Sequence, residues 1–281
     1  MIIKVPATSA NLGSGYDTMG LSLDLYNEFN ITRTKEQVDE KNLVYRSFKY
    51  LFEIEKKQVP KIKINIDGKV PIARGLGSSA TCIVAGLVAA NIIFEGKYGM
   101  DELLKYATAI EGHPDNVGPA LMGGLVISTT LKDEVCYYKL KASDELSFIV
   151  IVPDYTLETR LARSLVPKEV KLEDAIYNIS HSNLISRAIE RGDMEMLRKV
   201  YGDRLHEPYR EKLIPDFSKY KEIAEKNESA IFISGAGSSM LIIADKDNEK
   251  ILEELKEKTP AQYKILKQKA AGGAKIIGKD F

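Results

Sequence analysis

The run PIARGLGSSAT, residues 71–81, constrains this chain more than any other, because its glycines and serines stand directly before the small, apolar segment CIVAGLVAANIIF. Upstream, Lys61 to Ile66 (KIKINI) alternates as a strand, and Asp67-Gly68 marks a turn. The order is therefore strand, glycine-rich loop, helix. Gly75 and Gly77 lack Cβ, so their backbone tolerates positive φ and close approach by another group. Ser78 and Ser79 fall where the first amides of a helix are unpaired and its dipole is positive, a setting that favours a polyphosphate. The same residues also suit a plain turn with Ser78 as N-cap. Neither the GxxxxGK[ST] of a P-loop nor the GxGxxG of a dinucleotide fold occurs here.

At 281 residues the chain is long for one core and suits two domains. Lysine plus arginine equals aspartate plus glutamate at 40 each, which leaves no basic field for nucleic acid, so any phosphate chemistry concerns a small ligand. No apolar run approaches the ~20 residues of a membrane span, and the start MIIKVPATSANLG lacks a signal pattern, so the expected setting is cytoplasmic. Cys82 and Cys136 show no metal or redox spacing and are expected as buried free thiols.

In chain order, residues 2–5 read as a strand broken by Pro6, followed by the polar loop PATSANLGSGYDTMG. A loop so rich in donors and acceptors is of the kind that binds ligands, with Asx-turns at Asn11 and Asp17 as the alternative. Leu21 to Thr34 alternates as a long, half-buried strand. Asn42 is an N-cap for LVYRSFKYLFEIEKK. After DELLKYATAIEG, an amphipathic helix, the segment EGHPDNVGPALMGG crowds Glu111, His113, Asp115 and Asn116 between a helix end and a helix start. That density points to a site, with Asp115 or Asn116 as a simple cap being the alternative. Gly124 to Thr130 and Val135 to Leu140 form a hairpin that closes a first domain, residues 1–143.

The apolar strand FIVIV (Phe148 to Val152) begins a second domain, residues 144–281. Thr159 and Arg163 lie four apart and share a face if their segment is helical. Helical patterns cover 172–191, 193–201 and 216–226. A strand at 230–234, the loop GAGSS, a strand at 240–244, a helix at 248–258 and strands near 263–267 and 274–277 complete the chain, and strand, helices, two strands, helix, strand is a split βαββαβ order. The whole is an α+β chain.

These motifs carry a resemblance. GLGSSA (Gly75 to Ala80), PATSANLGSGYD, EGHPDNVGPALMGG and SGAGSSM together resemble the GHMP small-molecule kinases, and PATSANLGSGYD and EGHPDNVGPALMGG resemble the homoserine kinases among them. This chain has Tyr16 where phenylalanine is usual, Arg74 where a small residue is usual, and Gly118 where alanine is common. Arg74 either lies near the phosphates or points to solvent. The resemblance covers the chain almost end to end. It implies a ribosomal protein S5-like N-terminal ATP-binding domain, a ferredoxin-like C-terminal domain, and transfer of phosphate from ATP to L-homoserine, the step before threonine is made.

By the same resemblance Asn42 lies near adenine, and the run Pro71, Ile72, Ala73, Arg74, Gly75, Leu76, Gly77, Ser78, Ser79, Ala80 and Thr81 holds the phosphates. Ser79 and Glu111 bind Mg2+. Asp17 meets the substrate ammonium, and Arg163 and Arg210 its carboxylate, with Asn11, His113 and Thr159 also lining the pocket. For the hydroxyl, either Asp115 acts as a base or Asn116 orients it without one. Alternatives are a GHMP kinase for mevalonate or a sugar, and a nucleotide-binding regulator that has lost catalysis. A homodimer is compatible with the sequence.

Overall fold

The computed structural model describes residues 1–132 and 134–281. Alternation along the N-terminal residues builds a six-stranded sheet. Strand β1 (Ile2–Ala10) runs antiparallel to β2 (Met19–Arg33), whose other edge pairs with β3 (Ile62–Asp67) at one end and β4 (Leu125–Thr130) at the other. Strand β5 (Val135–Leu140) completes the expected hairpin with β4. Pro6 does not end β1: the strand continues through it, and the register shifts between Pro6 and Ala7, so a bulge absorbs the missing donor.

Four helices cover this sheet. α1 (Leu43–Ile54) is capped by Asn42, whose side chain accepts from the amides of Val44 and Tyr45. α2 (Ser78–Ile93) is buried nearly all round, and α3 (Met100–Glu111) and α4 (Pro114–Met122) follow. α1 crosses α2 at Gly86, where a Cβ would lie 2.3 Å from the Val44 carbonyl oxygen.

The second sheet has the order β7 (Ala230–Ile233), β8 (Met240–Asp245), β6 (Leu146–Val152), β9 (Lys264–Gln268). β6 (Leu146–Val152) is apolar at nearly every position because both its faces are covered. Phe148 and Val150 face the first sheet, while Ile149 and Ile151 face the helices beyond. After β6 come α5 (Thr159–Ser164), α6 (Leu172–Arg191), α7 (Met194–Val200), the short turn α8 (Glu207–Arg210) and α9 (Phe217–Lys226). Then follow β7 (Ala230–Ile233), β8 (Met240–Asp245), α10 (Glu249–Lys258) and β9 (Lys264–Gln268).

The last strand falls within the residues expected to form the second domain, yet it lies in the first sheet. β10 (Lys275–Gly278) does not join the second sheet but pairs with β1 in the first. The chain reaches it through AAGG: the Ala271 amide donates to the Ser22 carbonyl, and a Cβ at Gly273 would lie 2.2 Å from the Leu121 carbonyl oxygen. Cys82 is half-buried, whereas Cys136, expected inside, is exposed on edge strand β5; both are free. Among the described residues no helix is long and apolar enough to cross a membrane.

The α1–α2 crossing is testable. Gly86→Ala should overpack it and lower stability by about 1 to 3 kcal/mol, read as a shift in the urea midpoint; an unchanged midpoint would mean that the crossing has slack.

Candidate active site

Helix α2 starts from a left-handed residue. Its N-cap, Gly77, has φ 65°, and Gly75 has φ 73°, so neither position suits a side chain. The loop before the helix is held from three sides. The Thr8 amide donates to the Leu76 carbonyl at 3.2 Å, the Ser234 hydroxyl to the Gly75 carbonyl at 2.7 Å, and the Ser239 amide to the Arg74 carbonyl at 3.2 Å. The loop SGAGSS thus lies directly on GLGSS.

Arg74 does not point freely to solvent. Its guanidinium donates to the carbonyls of Ile72, Pro153 and Asp154, tying the loop to the end of β6. Leu76, Ala80 and Thr81 face the interior; the Thr81 hydroxyl donates to the Ser78 carbonyl and accepts from buried Asn27. Ile72 and Ala73 are exposed and Pro71 half-buried. What the loop offers a ligand is therefore its backbone amides with the Ser78 and Ser79 hydroxyls. Asn42, engaged as the cap of α1, is not among the residues that line this cleft.

Next to the helix N-terminus, the Ser79 hydroxyl donates to Glu111 Oε2 at 2.9 Å. Burial raises the Glu111 pKa, opposed by that hydrogen bond. The α3–α4 junction then sets three groups. Asp115 is fully buried, and its Oδ1 takes His113 Nδ1 at 2.7 Å and the Asn116 amide at 3.0 Å. The Asp115 hydrogen bond raises the His113 pKa against the effect of burial. Asn116 Oδ1 accepts from the Thr8 hydroxyl at 2.7 Å.

On the opposite wall, Asn11 and Asp17 both have positive φ, 62° and 54°. Asn11 Oδ1 accepts from the Asp17 amide and its Nδ2 donates to the Gly235 carbonyl, so its side chain shapes the loop that presents Asp17. Arg163, projecting from α5 as the four-residue spacing with Thr159 predicts, forks onto both Asp17 oxygens at 2.7 and 2.8 Å. Thr159, exposed, stands at the rim. Arg210 is 1% exposed; it donates to the Gly235 carbonyl at 3.0 Å and the Tyr16 hydroxyl at 3.3 Å, and its Nε has no partner. Donor atoms of Asp17, His113 and Asp115 lie within 4.8 Å of one another. That cluster is already neutralised by Arg163 and His113, unlike the separate Ser79–Glu111 pair.

Together Asn11, Arg74 to Ser79, Glu111, His113, Asp115, Asn116, Thr159, Arg163 and Arg210 line one cavity of about 120 Å³. Several supporting residues have no role legible in the sequence. Thr8 holds Asn116. Tyr16 stacks on His206 at 4.9 Å and lies 4.8 Å under the Arg210 guanidinium. His206 is wholly buried and donates from Nε2 to the Gly13 carbonyl; burial pushes its pKa down, keeping it neutral beside Arg210. Asp203 accepts from the amides of Leu205, His206 and Glu207, fixing the turn that carries Arg210. The one available signal was the polar cluster DRLHEPYR, too short to show a helical period.

Residues 42–124 match the GHMP kinases N-terminal domain and residues 185–261 the GHMP kinases C-terminal region. A homoserine kinase of Clostridium beijerinckii is 40% identical over 267 residues, which span 91% of this chain and 90% of that protein. One of Caldicellulosiruptor bescii is 40% identical over 262 residues, 88% of this chain and 85% of that one. The crystal structure of homoserine kinase from Cytophaga hutchinsonii superposes with a TM-score of 0.89 at 26% identity, covering 99% of this chain and 97% of the other. With the glycine loop at the N-terminus of α2 and a second domain closing over it, the chain belongs to the GHMP kinase family, in the branch whose members are named homoserine kinase.

Proposed function

We propose that this chain transfers the γ-phosphoryl group of ATP to the hydroxyl of L-homoserine, giving O-phospho-L-homoserine for threonine biosynthesis. The observation that carries the substrate assignment is that Arg163 and Arg210 line one cavity with Asn116 while Arg163 grips Asp17, itself not a lining residue of that cavity. A zwitterion can exchange with such a pair: its ammonium replaces Arg163 on Asp17, and its carboxylate replaces Asp17 on Arg163, with Arg210 as a second donor. Every charge then keeps a partner. Mevalonate has a carboxylate but no ammonium, so displacing Asp17 from Arg163 would leave Asp17 uncompensated in a half-buried site, and galactose, with neither charge, has nothing to exchange with the pair.

Phosphoryl transfer asks for positioning and charge neutralisation. The α2 N-terminus and the loop amides suit the phosphates. Ser79 and Glu111 are hard oxygen donors that would hold magnesium, which when bound neutralises charge on the polyphosphate. For the acceptor, the geometry favours Asn116 over Asp115. Asp115 is buried, with one oxygen engaged by His113 and Asn116, whereas Asn116 has its amide nitrogen uncommitted. The homoserine oxygen attacks γ-phosphorus, the bond to the bridging oxygen breaks, and the hydroxyl proton passes to an oxygen of the transferred group. His113 then acts by holding Asp115 and the start of α4. A cytoplasmic enzyme, monomeric or homodimeric, fits this reading.

The direct test is ADP release with homoserine, mevalonate and galactose in turn; homoserine should be preferred by orders of magnitude, and a preference for either of the others would end the assignment. Arg163→Lys and Arg210→Lys keep charge but lose the planar fork. Each should lower kcat/KM for homoserine about 10- to 100-fold, the scale of a charged hydrogen bond of ~1.5 to 3 kcal/mol. ATP affinity without homoserine should hold; if Arg210→Lys weakens it equally, that arginine serves the phosphates instead.

Glu111→Gln should cut turnover by at least about 100-fold in a folded protein. Because burial raises the Glu111 pKa in the metal-free site, magnesium affinity should weaken on acidification at a pH above the ordinary carboxylate range, as protonation removes the charge that holds the ion. Full turnover in the Gln variant at saturating magnesium would take Glu111 out of the site.

A further inference from the structure

We propose that Thr8 is a positioning residue, whose hydroxyl orients the Asn116 amide toward the acceptor and couples that amide to the phosphate loop. This rests on the reading of Asn116 as the group that orients the substrate hydroxyl.

Three observations meet at Thr8. It is wholly buried in β1, where its branched Cβ restricts χ1. Its backbone amide donates to the Leu76 carbonyl at 3.2 Å, so the residue moves with the loop GLGSS. Its hydroxyl donates to Asn116 Oδ1 at 2.7 Å. An amide has one accepting and one donating end. With Oδ1 turned to Thr8, the NH2 is turned away from it, and Asn116 lines the cavity beside Ser79, Glu111 and Arg163. An NH2 can donate to a lone pair of the acceptor oxygen but cannot take its proton.

Gly77 closes the contact from the other side. A Cβ there would lie 1.9 Å from the Thr8 hydroxyl oxygen and 3.1 Å from Asn116 Oδ1. The cap of the helix that faces phosphate, the hydroxyl and the amide that faces the acceptor are therefore packed in sequence with no intervening side chain. Donor and acceptor of the phosphoryl group are registered through this one hydroxyl. Without it the amide is free to rotate, and in the flipped state its oxygen faces the substrate hydroxyl and competes for the wrong hydrogen bond.

The test compares Thr8→Val, Thr8→Ala and Thr8→Ser, alone and, for Thr8→Val, combined with Asn116→Ala. Thr8→Val should lower kcat about tenfold, the kinetic scale of one hydrogen bond, with KM for homoserine and ATP affinity within about twofold. Thr8→Ser, which keeps the hydroxyl, should restore most of the rate. Thr8→Ala removes the hydroxyl without adding bulk beside Gly77, and serves should the valine variant fail to fold. In the Asn116→Ala background Thr8→Val should cost nothing more. The side-chain NH2 resonances of Asn116 should shift in Thr8→Val and return in Thr8→Ser. A full tenfold loss persisting without Asn116 would overturn the proposal, as Thr8 would then touch substrate or phosphate itself. Weakened ATP binding at unchanged kcat would overturn it too, leaving Thr8 as a support of the loop. If Asn116→Ala keeps the wild-type rate, the reading of Asn116 fails, and the NH2 resonances still decide whether Thr8 sets the amide.

Discussion

A Cβ at Gly75 would lie 2.0 Å from the Ser234 carbonyl oxygen and 2.8 Å from that of Gly237, so two glycine loops from different sheets meet backbone to backbone. Everything at the site depends on that approach. It brings α5 and α8, elements of the second sheet's half, over the N-terminus of a helix that belongs to the first. It also lets the Ser234 hydroxyl and Ser239 amide satisfy loop carbonyls that a phosphate-facing conformation turns away from the helix. Arg74 reinforces the joint by bonding two carbonyls at the end of β6. Beneath it, apolar residues from both sheets share one core, with Leu76 of the loop packed among Phe148, Val150 and Leu241.

Two carboxylates at the cleft have partners before any ligand arrives. Asp17 is held by Arg163 and Asp115 by His113, and Arg210 is stacked on Tyr16 rather than paired. The Asp17–Arg163 pair is partly exposed, 29% and 40% by side chain, so solvent weakens it and a zwitterionic ligand can replace it. Arg210 is different. It is buried, and the neutral His206, the Gly235 carbonyl and the Tyr16 ring compensate a cation that water cannot reach. One arginine is thus exchangeable and the other preset. Glu207, fully buried with its pKa raised by burial, accepts from the Ile233 amide and locks the turn of Arg210 to β7.

Much of this was legible in the chain. The alternation of residues 21–34, the Asn42 cap, the helices at 172–191 and 216–226 and the apolar strand of β6 follow from periodicity and capping. The glycines of GLGSS announced a backbone that must accept positive φ, and the crowd at 111–116 announced a junction of titratable groups. Where reading failed, a long-range contact was responsible. Pro6 breaks an isolated strand, yet here a bulge against β2 accommodates it. Strand β10 has an ordinary strand pattern, and nothing in its own residues says which sheet edge is open. Cys136 sits on a strand whose outward face meets solvent.

The sequence by itself determined the local conformations, the glycine loop at a helix start and the order of elements, since these depend on residues close along the chain. Only the tertiary structure decided which charges meet. Arg163 finds Asp17, 146 positions away, and Thr8 finds Asn116, 108 away. Arg74 finds carbonyls 79 and 80 residues on. Those pairings are set by how two sheets pack and where a buried polar group finds a partner, and spacing along the sequence carries no record of either.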